Sequence, residues 1–150
     1  MRDFSVGFTS GIGFGRDGEI ISYRRANRPG TSSIKLDAKG GQRFADSLEL
    51  ERLFFDLSVD FEHTFSRQWT VALTPAFKAR RYDNYFGEVR RDYRPSVELK
   101  AEWTPEWLKK SIPDATFEFS IAFERNYSNV IDKRYKLYEF GPAIVLSSAF

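Results

Sequence analysis

Few residue types in this sequence could carry out catalysis. Its 150 residues include one histidine, His63, and no cysteine, which excludes thiol nucleophiles, disulfides and thiolate metal sites. A serine nucleophile needs a base, usually histidine, within hydrogen-bond reach, and Ser128, between Asn126 and Asn129, has no such base near it in sequence. His63 alternates with phenylalanines and is expected to be an interfacial structural residue. The sequence therefore predicts no catalytic residue, no cofactor, no metal and no enzyme activity.

Paired carboxylates could perform acid–base chemistry or bind a metal. The acidic residues of the predicted strands share one parity, and basic residues such as Lys78 and Lys100 share it too. Unpaired charges in a narrow interior would be costly, so we expect an ion-pair network on this face, with a narrow charge-lined pore as the alternative. The carboxylates concerned are Asp56, Asp60, Glu62, Glu98, Glu102, Glu118 and Glu124.

The segment from Lys78 to Arg94 mixes basic residues with tyrosine and phenylalanine. Such a mixture can bind nucleic acid, but the net charge of only +2 gives no support for a nucleic-acid partner. Arginine pairs bidentately with phosphate and carboxylate, so the segment is predicted to contact lipopolysaccharide phosphates or acidic solutes, or else to be a solvated loop with local salt bridges. Its predicted anion-contacting residues are Lys78, Arg80, Arg81, Arg90, Arg91 and Arg94.

The elements that position these residues are predicted to be β-strands. From Leu53 to Phe65 six of seven odd positions are apolar, whereas one of six even positions is. Similar alternation predicts eight strands in a single domain spanning residues 1–150, with a break near Glu51, a short helix near 107–110 after Pro105, and breakers at Gly40 and Gly41. The predicted strands are 3–14, 19–26, 32–38, 43–64, 68–80, 93–103, 115–127 and 135–150.

Two environments would suit a sheet that has one apolar and one polar face. A soluble sandwich or lipocalin-like barrel would turn its apolar face inward. A transmembrane barrel would turn it toward lipid, and its strands need only about 9–11 residues, so the mean hydropathy of −0.47 fits both. Pro75 favours the soluble reading, because in a closed barrel it requires a bulge or a rim position.

The aromatic residues favour the membrane reading. Three tryptophans, Trp69, Trp103 and Trp107, flank connections expected at one end of the sheet, and six of the seven tyrosines flank 81–92 and 128–134. Aromatic girdles at both interfaces are typical of transmembrane barrels. The short 63–68 turn and the longer 81–92 and 128–134 loops fit periplasmic and extracellular ends, and the same parity places Phe4 at the short-turn end. The tyrosines assigned to the interface are Tyr82, Tyr127 and Tyr135.

The last predicted strand ends on Phe150, with Phe140, Ile144 and Leu146 at alternate positions before it. This end resembles the closing strand of bacterial outer-membrane β-barrel proteins, although Pro142 and Ser148 depart from the pattern. The resemblance implies that the barrel assembly machinery recognises these four residues, that lipids of the outer membrane surround the barrel, and that a signal peptide has been removed.

We therefore predict an antiparallel up-and-down transmembrane β-barrel of eight strands, with a polar interior and a phenylalanine-rich exterior. Its expected role is structural, interactive or that of a small pore. Two alternatives stay open: a soluble β-barrel or sandwich that binds an apolar ligand, and the barrel portion or a subunit of a larger export complex.

Overall fold

The computed structural model describes residues 2–26, 28–45, 47, 50–112 and 115–146. They form one sheet of eight antiparallel strands and a short helix after Pro105, which confirms the predicted all-β, up-and-down arrangement. The elements are β1 (Arg2–Phe14), β2 (Ile20–Ser22), β3 (Thr31–Phe44), β4 (Arg52–Thr64), β5 (Trp69–Tyr85), β6 (Glu88–Trp103), α1 (Glu106–Ser111), β7 (Ala115–Ser128) and β8 (Tyr135–Leu146). The strand order across the sheet is β2-β1-β3-β4-β5-β6-β7-β8.

Strand geometry places alternate side chains on opposite faces of this sheet. The register aligns the apolar positions of neighbouring strands, as in the row Phe8, Ala38, Leu57, Phe77 and Pro95. The same face continues through β7 and β8. We call it the apolar face, and we call the opposite face, which carries most of the charged residues, the polar face.

The two ends of the sheet differ in their aromatic residues. At one end lie connections 15–30, 65–68 and 104–114, flanked by the three tryptophans, and we call it the tryptophan end. At the other lie 45–51, 86–87 and 129–134, flanked by six tyrosines, and we call it the tyrosine end. Each group of aromatic residues therefore lies at the end that the sequence predicted for it.

Strand β2 is much shorter than predicted. It pairs with β1 only from Ile12 to Phe14, and a 3-10 turn at Tyr23–Arg25 then leads the chain to β3 on the other side of β1. Because β2 does not cross the sheet, only seven strands are long, and Phe4 lies at the tyrosine end, beside Gln42. The expectation that Phe4 shares an end with the short 65–68 turn is wrong for this reason.

The long strand predicted for 43–64 is two strands. β3 extends to Phe44 and β4 begins at Arg52, so the expected break near Glu51 is a whole connection rather than a bulge. Gly40 and Gly41, predicted to interrupt the chain, lie inside β3 and pair with both neighbouring strands. Alternation weakens at these two positions because glycine has no side chain, whereas the break expected near Glu51 does coincide with the connection before β4.

Gly41 is required by the close approach of β1. A Cβ at this position would overlap the carbonyl oxygen of Phe4 and lie 2.8 Å from Ser5 Cα, both of them backbone atoms. We expect Gly41→Ala to lower the free energy of unfolding by about 1–3 kcal/mol, the usual cost of overpacking. Gly40→Ala is the matched control, because its Cβ would meet Phe54 O at an ordinary 3.6 Å. Equal denaturant midpoints for the two variants would contradict this account.

Pro75 lies in the interior of the sheet, with neither the bulge nor the rim position that was expected. It pairs with Val97 of β6, while the β4–β5 ladder is interrupted between Ser58 and Phe61 without a shift in register. Proline cannot donate a ladder hydrogen bond, which explains the gap. Thr74 bridges it on the polar face by donating a hydrogen bond to Asp60 Oδ1 at 2.8 Å.

The sheet encloses no apolar core within its described residues. Buried apolar side chains are limited to Ala26, Tyr82, Leu108 and Ala115, whereas Phe140 is 74% exposed. The accessible surface is 10550 Å², against about 7,800 Å² for a folded monomer of this mass. The excess indicates a large face without a protein partner.

Polar-face side chains of β4 and β5 are less exposed than the apolar side chains between them, which indicates that the polar face is the concave one. Side chains from β3, β4, β5 and β6 line one cavity of about 190 Å³ on this face, among them Lys35, Asp60 and Lys100. Lys78 of β5 also reaches Glu124 of β7 across the intervening β6, with an Nζ to Oε2 distance of 3.8 Å. The apolar side chains consequently cover the outer side of the curved sheet.

Strands β1 and β8 are not joined by hydrogen bonds in the described residues, so the sheet is open. Both strands run from the tyrosine end to the tryptophan end. The outer edge of β1 is paired only where β2 lies against it. An antiparallel strand that closed the sheet would have to run in the direction of β2.

Candidate functional site at the tyrosine end

The tryptophan end carries a compact aromatic cluster. Trp69 and Trp103 are directly opposite each other on β5 and β6, with their ring centroids 5.6 Å apart. Phe117 stacks on Trp103 at 5.6 Å and contacts Trp107 of α1 at 5.9 Å. The three tryptophans predicted to lie at one interface are thus brought together, largely on the apolar face.

The predicted interface tyrosines divide between the two faces. Tyr127 lies on the apolar face opposite Tyr93. Tyr82 is only 5% exposed on the polar face, and Tyr135 donates a hydrogen bond from its hydroxyl to Glu124 on that face at 2.6 Å. On the apolar side, the tyrosine end is therefore marked by Tyr93 and Tyr127 rather than by Tyr82 or Tyr135.

The predicted 81–92 loop is mostly a hairpin. β5 and β6 continue to a two-residue turn at Phe86 and Gly87, where both residues have positive φ angles of 49° and 82°. This is the left-handed geometry that tight hairpin turns require. Strand alternation consequently controls where the basic residues of this segment lie.

The six predicted anion-contacting residues do not form one site. Arg81 and Arg91 lie opposite each other on the apolar face, and the other four lie on the polar face. Five have a carboxylate partner within 4 Å, and only Arg91 has none among the described ion pairs. The pairs are Lys78 with Glu124, Arg80 with Asp56, Arg81 with Asp83, and both Arg90 and Arg94 with Asp92.

Asp92 is the centre of the polar cluster at this end. It is fully buried and accepts hydrogen bonds from the Arg90 guanidinium, whose carbon lies 4.7 Å from the centroid of Tyr82. This part of the hairpin lies beyond Tyr93, outside the band of apolar residues. Burial raises the pKa of Asp92, but hydrogen bonds from Arg90 and Ser128 outweigh it and hold the pKa below 3.8. The carboxylate is therefore ionised and fixed in place.

Ion pairs continue along the polar face, as the sequence predicted. Lys35 contacts Asp37 at 2.6 Å, and Lys100 contacts Glu102 at 2.9 Å and Glu118 at 2.8 Å. No cluster of three or more acidic or histidine side chains within the described ranges could hold a metal ion. The carboxylates on this face are thus used mainly as partners of lysine and arginine.

A different set of cations lies on the outer side of the tyrosine end. A cavity of about 650 Å³, which we call the outer cleft, opens on the apolar face between β6, β7 and β8. No acidic residue in the described part of the chain lines it. Its charged and aromatic lining includes Arg91, Tyr93, Arg125, Tyr127 and Lys136, whose side chains share the apolar face, and Arg134 of the 129–134 connection.

Sequence analysis missed most of the outer cleft. Arg125, Arg134 and Lys136 lie outside the basic segment that was singled out, and the strand pairing brings Arg125 and Lys136 opposite each other. One signal was available in the sequence. Arg125 has the parity of Phe123 and Tyr127, so a charge interrupts the apolar face at this position.

His63 makes a hydrogen bond that the sequence did not reveal. Its Nδ1 lies 2.7 Å from Ser32 Oγ, directly across from it on the apolar face near the tryptophan end, and its ring contacts Phe65. Nucleophilic catalysis also needs a group that orients the base. Among the described residues no hydrogen-bond acceptor contacts Nε2 of His63. We therefore interpret the hydrogen-bonded pair of His63 and Ser32 as structural.

The residues assigned to assembly recognition are partly described. Phe140 and Ile144 lie on the apolar face of β8, exposed to 74% and 63%. β8 ends at Leu146. Phe150 lies outside the described residues.

Comparison with known proteins identifies no relative: no family model, curated protein or solved structure matches the chain. A separate search of the helices in the described ranges finds none with the length and hydrophobicity needed to span a membrane.

Proposed function

We propose that this chain is an integral outer-membrane protein whose β-sheet crosses the lipid bilayer, with the apolar face against acyl chains and the polar face turned inward. The observation that carries the proposal is the band of apolar side chains between the two aromatic ends, which is unbroken in β6. In β6 the band runs from Tyr93 to Trp103 and contains Pro95, Val97, Leu99 and Ala101 on the apolar face.

The height of the band suits a bilayer. Tyr93 and Trp103 are ten positions apart in β6, which is about 33 Å of strand at about 3.3 Å per residue. A strand tilted by about 40° reduces this to about 25 Å, the usual height of the apolar band in outer-membrane barrels. Aromatic residues at both limits match the two interfaces of such a bilayer.

The polar face favours a structural or interaction role over an open channel. Most of its lysines and arginines are paired with carboxylates, and Lys78 reaches Glu124 across the intervening strand. A curved sheet of about eight strands leaves an interior that side chains can fill. The soluble alternative requires an apolar cavity inside, whereas the concave side of this sheet is polar.

The open sheet gives specific support to the alternative of a subunit in a larger complex. The free edges of β1 and β8 run parallel to each other, so these two strands cannot pair in the antiparallel manner of a simple up-and-down barrel. Exposed backbone groups at a sheet edge are costly in lipid. A strand from another chain, running from the tryptophan end to the tyrosine end, would be antiparallel to both edges.

Refolding tests the proposal. We expect the urea-denatured chain to fold when it is diluted into phosphatidylcholine vesicles, with a β-sheet circular dichroism spectrum and faster gel migration before heating than after it. Dilution into buffer without lipid or detergent should give aggregates. A monodisperse, folded protein in that buffer would overturn the proposal.

Measurements of oligomeric state and conductance then distinguish a structural monomer, a subunit of a larger complex and a pore. Cross-linking in vesicles should yield discrete oligomers if a second chain closes the sheet and monomers if the chain closes alone. Discrete current steps across a planar bilayer would replace the structural role with that of a pore.

A further inference from the structure

The outer cleft concentrates positive charge without any compensating acid. Four cations line it, namely Arg91, Arg125, Arg134 and Lys136. None of them takes part in the described ion pairs, whereas Arg80, Arg90 and Arg94 on the polar face of the same end do. Arg125 packs against the ring of Tyr127, with its guanidinium carbon 4.3 Å from the ring centroid.

Like charges face one another in this region. Arg125 is directly opposite Lys136, and Arg91 is directly opposite Arg81, which lies outside the cleft and pairs with Asp83. Directly opposed like charges destabilise a sheet, so an anion bound between them would remove an unfavourable interaction as well as add favourable ones. Guanidinium groups match the geometry of phosphate oxygens.

The position of the cleft indicates what carries the phosphate. Phe123 and Tyr138 form the next cross-strand pair on the apolar face after Arg125 and Lys136. Their ring centroids are 5.0 Å apart. A ligand whose phosphate lies among the cations would thus have apolar side chains directly beside it. This is the arrangement of a phosphorylated headgroup joined to acyl chains.

We propose that the outer cleft binds the phosphate-bearing headgroup of an anionic lipid, with the acyl chains lying on the apolar face beside Phe123 and Tyr138. This inference rests on the proposed membrane function. It replaces the predicted anion-contacting segment, most of whose cations are already paired, with a site formed by β6, β7, β8 and the 129–134 connection.

A pair of double variants tests the inference. The side chains of Arg91 and Lys136 make none of the described hydrogen bonds, ion pairs or cation–π contacts, so Arg91→Gln with Lys136→Gln should leave the fold intact. Lys109→Gln with Lys110→Gln removes the same charge from α1 at the tryptophan end. Each protein is folded into phosphatidylcholine vesicles with and without phosphatidic acid, and the retained lipid and the urea midpoint are measured.

We expect phosphatidic acid to raise the midpoint of the wild type and of the α1 variant. The Arg91 and Lys136 variant should bind it about tenfold or more weakly, because two of the four cations that would make charge-assisted hydrogen bonds to the phosphate are removed. If phosphatidic acid raises the urea midpoint equally in all three proteins, the inference is overturned. Failure of the wild type to fold in phosphatidylcholine alone would instead overturn the proposed membrane function.

Inorganic phosphate distinguishes a lipid from a soluble ligand. Added to protein in phosphatidylcholine vesicles, it should change the midpoint little, since it cannot use the apolar surface beside the cleft. If it raises the midpoint as much as phosphatidic acid does, and the rise depends on Arg91 and Lys136, the lipid assignment is wrong.

Discussion

Ile121→Lys is expected to weaken folding into phosphatidylcholine vesicles by about 2–4 kcal/mol, the cost of a lysine on the lipid side of a barrel near the bilayer midplane. Ile121 is 55% exposed on the apolar face of β7, near the middle of the band that extends from Phe117 to Tyr127. The measurement is the urea dependence of folding in vesicles, followed by tryptophan fluorescence.

The neighbouring residue provides the control. Ala122 lies on the polar face, directly opposite Glu98 of β6 and Glu139 of β8. Ala122→Lys would place its ammonium between two carboxylates, so we expect little loss of stability or a small gain. If the two lysine variants unfold alike, or if Ile121→Lys improves solubility in lipid-free buffer without loss of fold, the apolar face does not contact lipid.

Asp92→Ala is expected to cost about 3–5 kcal/mol of unfolding free energy, because removing one partner of a buried ion pair leaves the other charge unpaired. Asp92 is fully buried, and the side chain of its partner Arg90 is 11% exposed. The loss should appear in the urea midpoint of the vesicle-folded protein. It should exceed that of any single substitution in an exposed ion pair.

The ion pair of Arg81 and Asp83, two residues before the end of β5 at its nearer member Asp83, tests whether a buried ion pair contributes more than an exposed one. Both side chains are more than half exposed, so Asp83→Ala should cost no more than about 1 kcal/mol.

The contribution of Asp92 to stability should also depend on pH. Its pKa is lowered in the folded state, so the contribution is present above pH 3.8 and is lost as the pH falls below that value. Asp92→Asn should remove this acid dependence, and an unchanged pH profile would contradict the assignment.

The strands in which apolar and polar residues alternate strictly could be predicted from the sequence. The run from Leu53 to Phe65 predicted β4, and the flanking aromatic residues correctly indicated which connections share an end of the sheet. These inferences succeed because strand period and turn position are local properties. The same local reasoning predicted the helix that follows Pro105.

Long-range pairing could not be predicted in this way. The Cβ clash at Gly41 arises from the approach of β1, which lies far away in sequence, and the hydrogen bond between Asp92 and Ser128 joins β6 to β7. The outer cleft depends on β7 lying beside β8 so that Arg125 meets Lys136. Composition of one segment cannot reveal a site whose residues come from several strands.

Because β2 is short, the described residues contain an odd number of long strands. An even number of crossings returns a chain to the compartment in which it started, but seven long strands leave Arg2 and Leu146 at opposite ends of the sheet. If the sheet crosses the outer membrane as proposed, the polypeptide is itself a covalent link between the periplasm and the cell exterior. A protein fused before Arg2 and one fused after Leu146 would then face different compartments.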